Sequence, residues 1–146
     1  MKSGRSFLDR EHTYLLEEMQ ALTGRSDRFG RLFENVLTIF SYHLDREEET
    51  VIPLIDYLSR REGSKRLLDV LNIQRAWDGF RQEYDNMLNE HAQMNKLIAE
   101  IDDEYSHEDK NISQLIGELK HHIEIEEVIL YPAALAVGEL LECRKF

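Results

Sequence analysis

The sequence predicts an all-α protein: an antiparallel up-down-up-down four-helix bundle with a short connector helix and a short C-terminal helix. Three observations carry this expectation. Glycine and proline number only seven and two in 146 residues, too few for the turns of an all-β chain. Apolar residues recur at three- and four-residue spacing, the period of a helix. The links between these stretches are mostly short, which sets consecutive helices antiparallel.

The elements follow in order. Leu8, Leu15, Leu16, Met19 and Leu22 share one face of a first helix. Gly24-Arg25-Ser26-Asp27 reads as its stop and the next start. A second helix, about Arg28 to Arg61, carries Phe29, Leu32, Phe33, Val36, Phe40, Val51, Leu54 and Leu58 on one stripe. Glu62-Gly63-Ser64 breaks it, and Leu67, Leu68 and Leu71 form the connector. A third helix, about Ala76 to Tyr105, aligns Trp77, Phe80, Tyr84, Leu88, Met94, Ile98 and Ile101. Ser106-His107-Glu108-Asp109 reads as a loop and cap. A fourth, about Lys110 to Tyr131, aligns Ile112, Leu115, Leu119 and Ile129, and Pro132 begins the short terminal helix.

Composition narrows the function. Hydrophobic residues at 42% and charged residues at 32% suit a single folded domain spanning 1–146. A net charge of -11 repels phosphate backbones, which argues against nucleic acid as a partner. The one cysteine, Cys143, cannot form an internal disulfide or by itself a thiolate metal site. No apolar run reaches the length of a membrane span and the charged N-terminus lacks a signal-peptide core, so a cytoplasmic address without membrane partners is expected.

An internal repeat is the most informative feature. His43-Leu44-Asp45-Arg46-Glu47-Glu48 with Pro53 aligns with His122-Ile123-Glu124-Ile125-Glu126-Glu127 with Pro132, at an offset of 79 residues. The same offset carries Glu11-His12 onto Glu90-His91. Each half, about 6–63 and 75–142, therefore reads His, thirty residues, then His-x-x-x-Glu. A His and a Glu four residues apart lie about 40° apart around a helix and about 6 Å along it, so both reach one point. His12 falls between Leu8 and Leu16, His43 and Glu47 between Phe40 and Val51, His91 between Leu88 and Met94, and His122 and Glu126 between Leu119 and Ile129. Similar distances from the expected turns put all six at one level. Such a layer, inside an apolar core, is costly unless the groups are paired or bound to metal. Imidazole with carboxylate suits iron, zinc or manganese. Two ions bridged by Glu47 and Glu126, each taking two histidines, use all six donors and match the repeat.

This pattern resembles the hemerythrin-like, or HHE cation-binding, domain over nearly the whole chain. The family's first-helix histidine falls on His12 and its second-helix His-x-x-x-Glu on His43 and Glu47, with Pro53 trailing. The third-helix Glu-His falls on Glu90-His91, and the fourth-helix motif on His122 and Glu126 with the Leu130-Tyr131-Pro132 ending. The resemblance implies a non-haem centre of two iron ions, with zinc or manganese as substitutes. It also implies dioxygen, nitric oxide or peroxide as the small partner. The oxygen-carrying hemerythrins place a second histidine where this chain has Asn95, and an aspartate where it has Glu127. Fewer histidines leave more open coordination positions, which favours a reactive or sensing centre over reversible carriage. The four-His, two-Glu set is similar to that of di-iron proteins associated with repair of iron–sulfur clusters.

Blander readings apply elsewhere. Glu118-x-x-His121 and Glu104-x-x-His107 imitate the ferritin-type motif, but His121 lies off the apolar stripe and His107 at a helix end. Asn95 and Tyr84 flank His91 on the inner face, as pocket wall or as donors to a ligand. Asp45, Glu48, Glu49 and Glu124 form a solvated face. Three functions remain open: a metal-binding gas sensor or carrier, an iron-dependent stress-defence or cluster-repair protein, and an interaction module stabilised by metal. The first class, a metal- or gas-binding protein, fits better than a dedicated enzyme. The chain displays no motif for a protein partner.

Overall fold

The structure, a computed structural model, describes residues 7–24, 27–59, 67–105 and 110–143. Among the described residues every regular element is helical: α1 (Phe7–Leu22), α2 (Arg28–Ser59), α3 (Leu67–Tyr105), α4 (Lys110–Ile125), a π-helical turn (Glu126–Leu130) and α5 (Tyr131–Cys143). Long helices with apolar stripes and no strand among these residues are consistent with a helical bundle. The Glu62-Gly63-Ser64 break, the Ser106–Asp109 loop with His107, and the side chains of Leu8, Leu58, Leu67 and Leu68 lie outside the described residues.

The start of α2 has a clear local cause. Gly30 N–H donates to Asp27 Oδ1 at 3.1 Å, and Arg31 N–H donates to the Asp27 carbonyl at 3.2 Å. Asp27 thus caps the Gly30 N–H, which has no partner within the helix, while its carbonyl accepts the first helical bond. At the end of α1 the Thr23 hydroxyl donates back to the Gln20 carbonyl at 2.9 Å.

Backbone packing divides the chain into two compact units, Met1–Leu44 with Asn89–Ile123 and Asp45–Leu88 with Glu124–Phe146. In the first, Leu15 and Met19 of α1, Phe29, Phe33, Val36 and Phe40 of α2, Met94, Ile98 and Ile101 of α3, and Ile112, Leu115 and Leu119 of α4 form one core. In the second, Val51 and Leu54 of α2, Ile73, Trp77, Phe80 and Met87 of α3, and Tyr131, Ala134, Val137 and Leu141 of α5 form another. Each large buried side chain contributes about 1.5–3 kcal/mol of transfer free energy. These are the residues the helical period marks, with additions such as Ile73, Met87 and the apolar face of α5.

Two expectations need correction. The connector is not a separate helix: Leu67–Leu71 forms the first turn of α3. No glycine or proline stands between Leu67 and Asp78 to interrupt it. The short terminal helix is present as α5, starting at Tyr131, and what precedes it is not a break but a π-turn, since Ile125 and Tyr131, at its two ends, both keep helical backbone angles. Ile129 does not join the inner stripe. It is 54% exposed, and Tyr131 is fully buried in its place. The π-turn explains the exchange. Tyr131 N–H donates to the Glu126 carbonyl, five residues back instead of four, which shifts every later side chain by one position around the helix.

Packing in the second unit is close enough to test. A Cβ added at Gly138 would come within 2.1 Å of the Trp77 ring, whereas Gly117 has nothing within 4 Å. Gly138→Ala is therefore expected to destabilise the protein by about 1–3 kcal/mol through overpacking. Gly117→Ala should stabilise it by about 0.5–1 kcal/mol through helix propensity. Thermal denaturation of both variants checks the pair; equal shifts would contradict this packing.

Candidate metal centre

All six residues singled out by the repeat are buried: His12, His43, Glu47, His91, His122 and Glu126. Local geometry accounts for the carboxylates. Glu47 lies one turn after His43 on α2, and Glu126 one turn after His122, where α4 passes into the π-turn. Burial also decides between adjacent glutamates, since Glu127 is exposed where Glu126 is not. Asp45, Glu48, Glu49 and Glu124 are exposed, as a solvated face should be, and so is His121.

The four imidazoles pack in pairs. The His12 and His122 ring centroids are 4.8 Å apart, those of His43 and His91 4.5 Å. His43 Nε2 and His91 Nε2 approach to 2.9 Å. Phe40 sets its ring edge-on to both His12 and His122, at 6.4 and 5.8 Å. Two groups of four side chains bring ligand atoms within 4.8 Å of one another and could hold a metal ion: His12, Glu47, His122 and Glu126, and His43, Glu47, His91 and Glu126. Both carboxylates belong to both groups.

Sequence reasoning gave no role to three residues that bond the donors. His43 Nδ1–H donates to Glu90 Oε1 at 2.9 Å, and His122 Nδ1–H donates to Glu11 Oε1. Glu11 and Glu90 are themselves related by the 79-residue offset. Each half of the repeat thus supplies the carboxylate that orients the other half's histidine. A proton held on Nδ1 leaves Nε2 as the coordinating nitrogen and raises its basicity. The signal was visible as Glu-His in both halves. The side-chain partner was not, since it comes from a helix remote in sequence.

The third is Tyr131. Its hydroxyl donates to Glu47 Oε2 at 2.6 Å and lies 3.9 Å from Met87 Sδ. Burial first, and then the Glu47 and Glu126 carboxylates, hold the phenol far above its usual titration range, so it remains a donor. Tyr84 is half-buried and packs edge-on to Tyr131 at 6.0 Å and to Phe80 at 5.4 Å. Asn95, expected on the inner face, is exposed. On α3 the buried stripe runs through Met87, His91, Met94 and Ile98, and a residue four beyond His91 falls on its solvent side.

No curated protein and no solved structure matches the chain. Residues 82–143, which hold His91, His122 and Glu126, match the family described as Hemerythrin HHE cation binding domain.

Proposed function

We propose that this is a non-haem di-iron binding protein of hemerythrin-like type. Its helices run up-down-up-down about a carboxylate-bridged dinuclear site that binds or reacts with dioxygen, nitric oxide or peroxide. The observation that carries the reading is the pair of four-residue donor groups sharing Glu47 and Glu126. One ion would take His12 and His122, the other His43 and His91, and the two glutamates would serve both.

The donor set fits such ions. Four neutral imidazoles with two carboxylates place -2 against two divalent cations, and buried carboxylates lose less hydration energy when a cation replaces the water. His43 Nε2 and His91 Nε2, 2.9 Å apart, would both be able to face one such ion. Zinc or manganese would be accepted by the same donors. When bound, iron would supply a redox-active centre with room for a small ligand beyond the protein's donors. The chain's own part is to fix the donors and exclude water. Glu90 and Glu11 hold the His43 and His122 rings by Nδ1, and Phe40 covers His12 and His122.

Protein produced in iron-supplemented medium without chelator should carry close to two iron equivalents. The double variant His43→Ala, His122→Ala should lose most of them. Metal analysis decides, and unchanged content in the variant would refute the assignment. Glu11→Gln and Glu90→Gln should each keep the fold and weaken metal binding by about 10–100-fold, measured by chelator competition. Anaerobically reduced protein exposed to oxygen then separates the functional classes. A stable, reversible near-ultraviolet absorbance indicates gas binding. Fast irreversible oxidation with consumption of peroxide indicates a stress-defence enzyme. An unresponsive spectrum with zinc restoring the same stability indicates a module that uses metal only to fold.

A further inference from the structure

The repeat is symmetric in sequence but not in structure, and the difference falls on one of the two glutamates. The 79-residue offset pairs Glu47 with Glu126, Pro53 with Pro132, and Ile52 with Tyr131. In α2, an uninterrupted helix, Val51 is buried and Ile52 is only half-buried. Five residues of α-helix span about 140° beyond a full turn, so Ile52 points away from Glu47's side. After Glu126 the π-turn absorbs one residue, so Tyr131 returns to the buried face. Val128 and Ile129 are turned out to solvent, at 66% and 54% exposure. Proline does not force this, because Pro53 sits inside α2 without a π-turn. What the widened turn gains is the Tyr131 hydroxyl on Glu47 Oε2. At the equivalent position opposite, an Ile52 side chain has no hydroxyl to offer Glu126.

From this asymmetry we infer that Tyr131 is a positioning residue that makes the two metal positions unequal, by occupying one oxygen of Glu47. The inference rests on the dinuclear reading above. A phenol that donates to a carboxylate oxygen withdraws electron density from it and fixes its direction. An ion served by Glu47 Oε2 therefore meets a weaker donor than one served by Oε1. The consequence is ordered loading: one position fills first, and the second binds more weakly than charge repulsion alone would make it. Iron bound at the weaker position would be the one that exchanges and leaves a coordination site open.

Cobalt(II), whose visible absorbance reports its ligands, is the probe, titrated anaerobically into the metal-free full chain. The wild type should bind two equivalents in separate steps, with dissociation constants at least about 10-fold apart. Tyr131→Phe keeps the ring and removes the hydroxyl, so the gap should close several-fold. Replacement of Tyr131 by 3-fluorotyrosine, a stronger donor of nearly the same shape, should widen it, and remains available if Tyr131→Phe folds poorly. Thermal denaturation of the metal-free proteins separates a packing role. A lower midpoint with an unchanged gap would overturn the inference while leaving the dinuclear site intact. Equal steps in the wild type would do the same. If the wild type binds no cobalt, iron or zinc, the dinuclear reading itself fails, and the inference with it.

Discussion

Desolvation of charge is the constraint on which the rest of this structure depends. Glu47 and Glu126 are almost wholly removed from solvent, and so are four histidines. A carboxylate in such surroundings costs several kcal/mol unless something replaces its hydration. The chain meets part of this cost itself. The Tyr131 hydroxyl satisfies one oxygen of Glu47, and Glu11 and Glu90 satisfy one nitrogen each of His122 and His43. None of these bonds neutralises a buried carboxylate, which is why a cation is the natural complement of the remaining donors. In the proposed dinuclear site, burial that would be a defect in an ordinary core becomes the source of affinity.

Long helices serve that purpose because they fix donors by arithmetic. A ligand pair four residues apart on one helix needs no loop to hold it, and the apolar positions before and after lock its rotation. His43 and Glu47 lie between Phe40 and Val51, which are buried in the core. The same stripe that gives α2 its hydrophobic face therefore aims the two proposed ligands. Surface charge pairs such as Arg28 with Glu100 and Glu104 contribute little by comparison, being exposed and screened.

The burial of the six repeat residues and most of the apolar stripe were legible in the sequence, for the same reason: each follows from helical period, and the offset of 79 residues states it twice. What was not legible is what period cannot carry. Glu11 and Glu90 stood in the pattern, but a hydrogen bond to a residue 111 or 47 positions away leaves no local trace. Asn95 was assigned inward by its four-residue spacing from His91, although the stripe on α3 continues through Met94, three residues on. The merging of the connector into α3 was missed because leucines near a break suggest a separate element, while the absence of a breaker after them is the stronger signal.

The π-turn is the instructive failure. It changes which side chain faces inward and leaves no mark on the apolar spacing, so the stripe through Leu115 and Leu119 put Ile129 in the core. Continuing the α-helical count would have buried Ile129 and turned the Tyr131 hydroxyl away from Glu47. Exposing Ile129 forgoes part of an apolar burial worth about 1.5–3 kcal/mol for a fully buried side chain, and a π-turn has poorer hydrogen-bond geometry than the helix it interrupts. The bond from Tyr131 to Glu47, made in a dry interior and to a charged acceptor, is stronger than an ordinary one. Burial of the Tyr131 ring against Phe80 and Tyr84 adds to it. Local rules yield here to a contact at the candidate centre, and π-turns concentrate where function, rather than helix stability, sets the geometry.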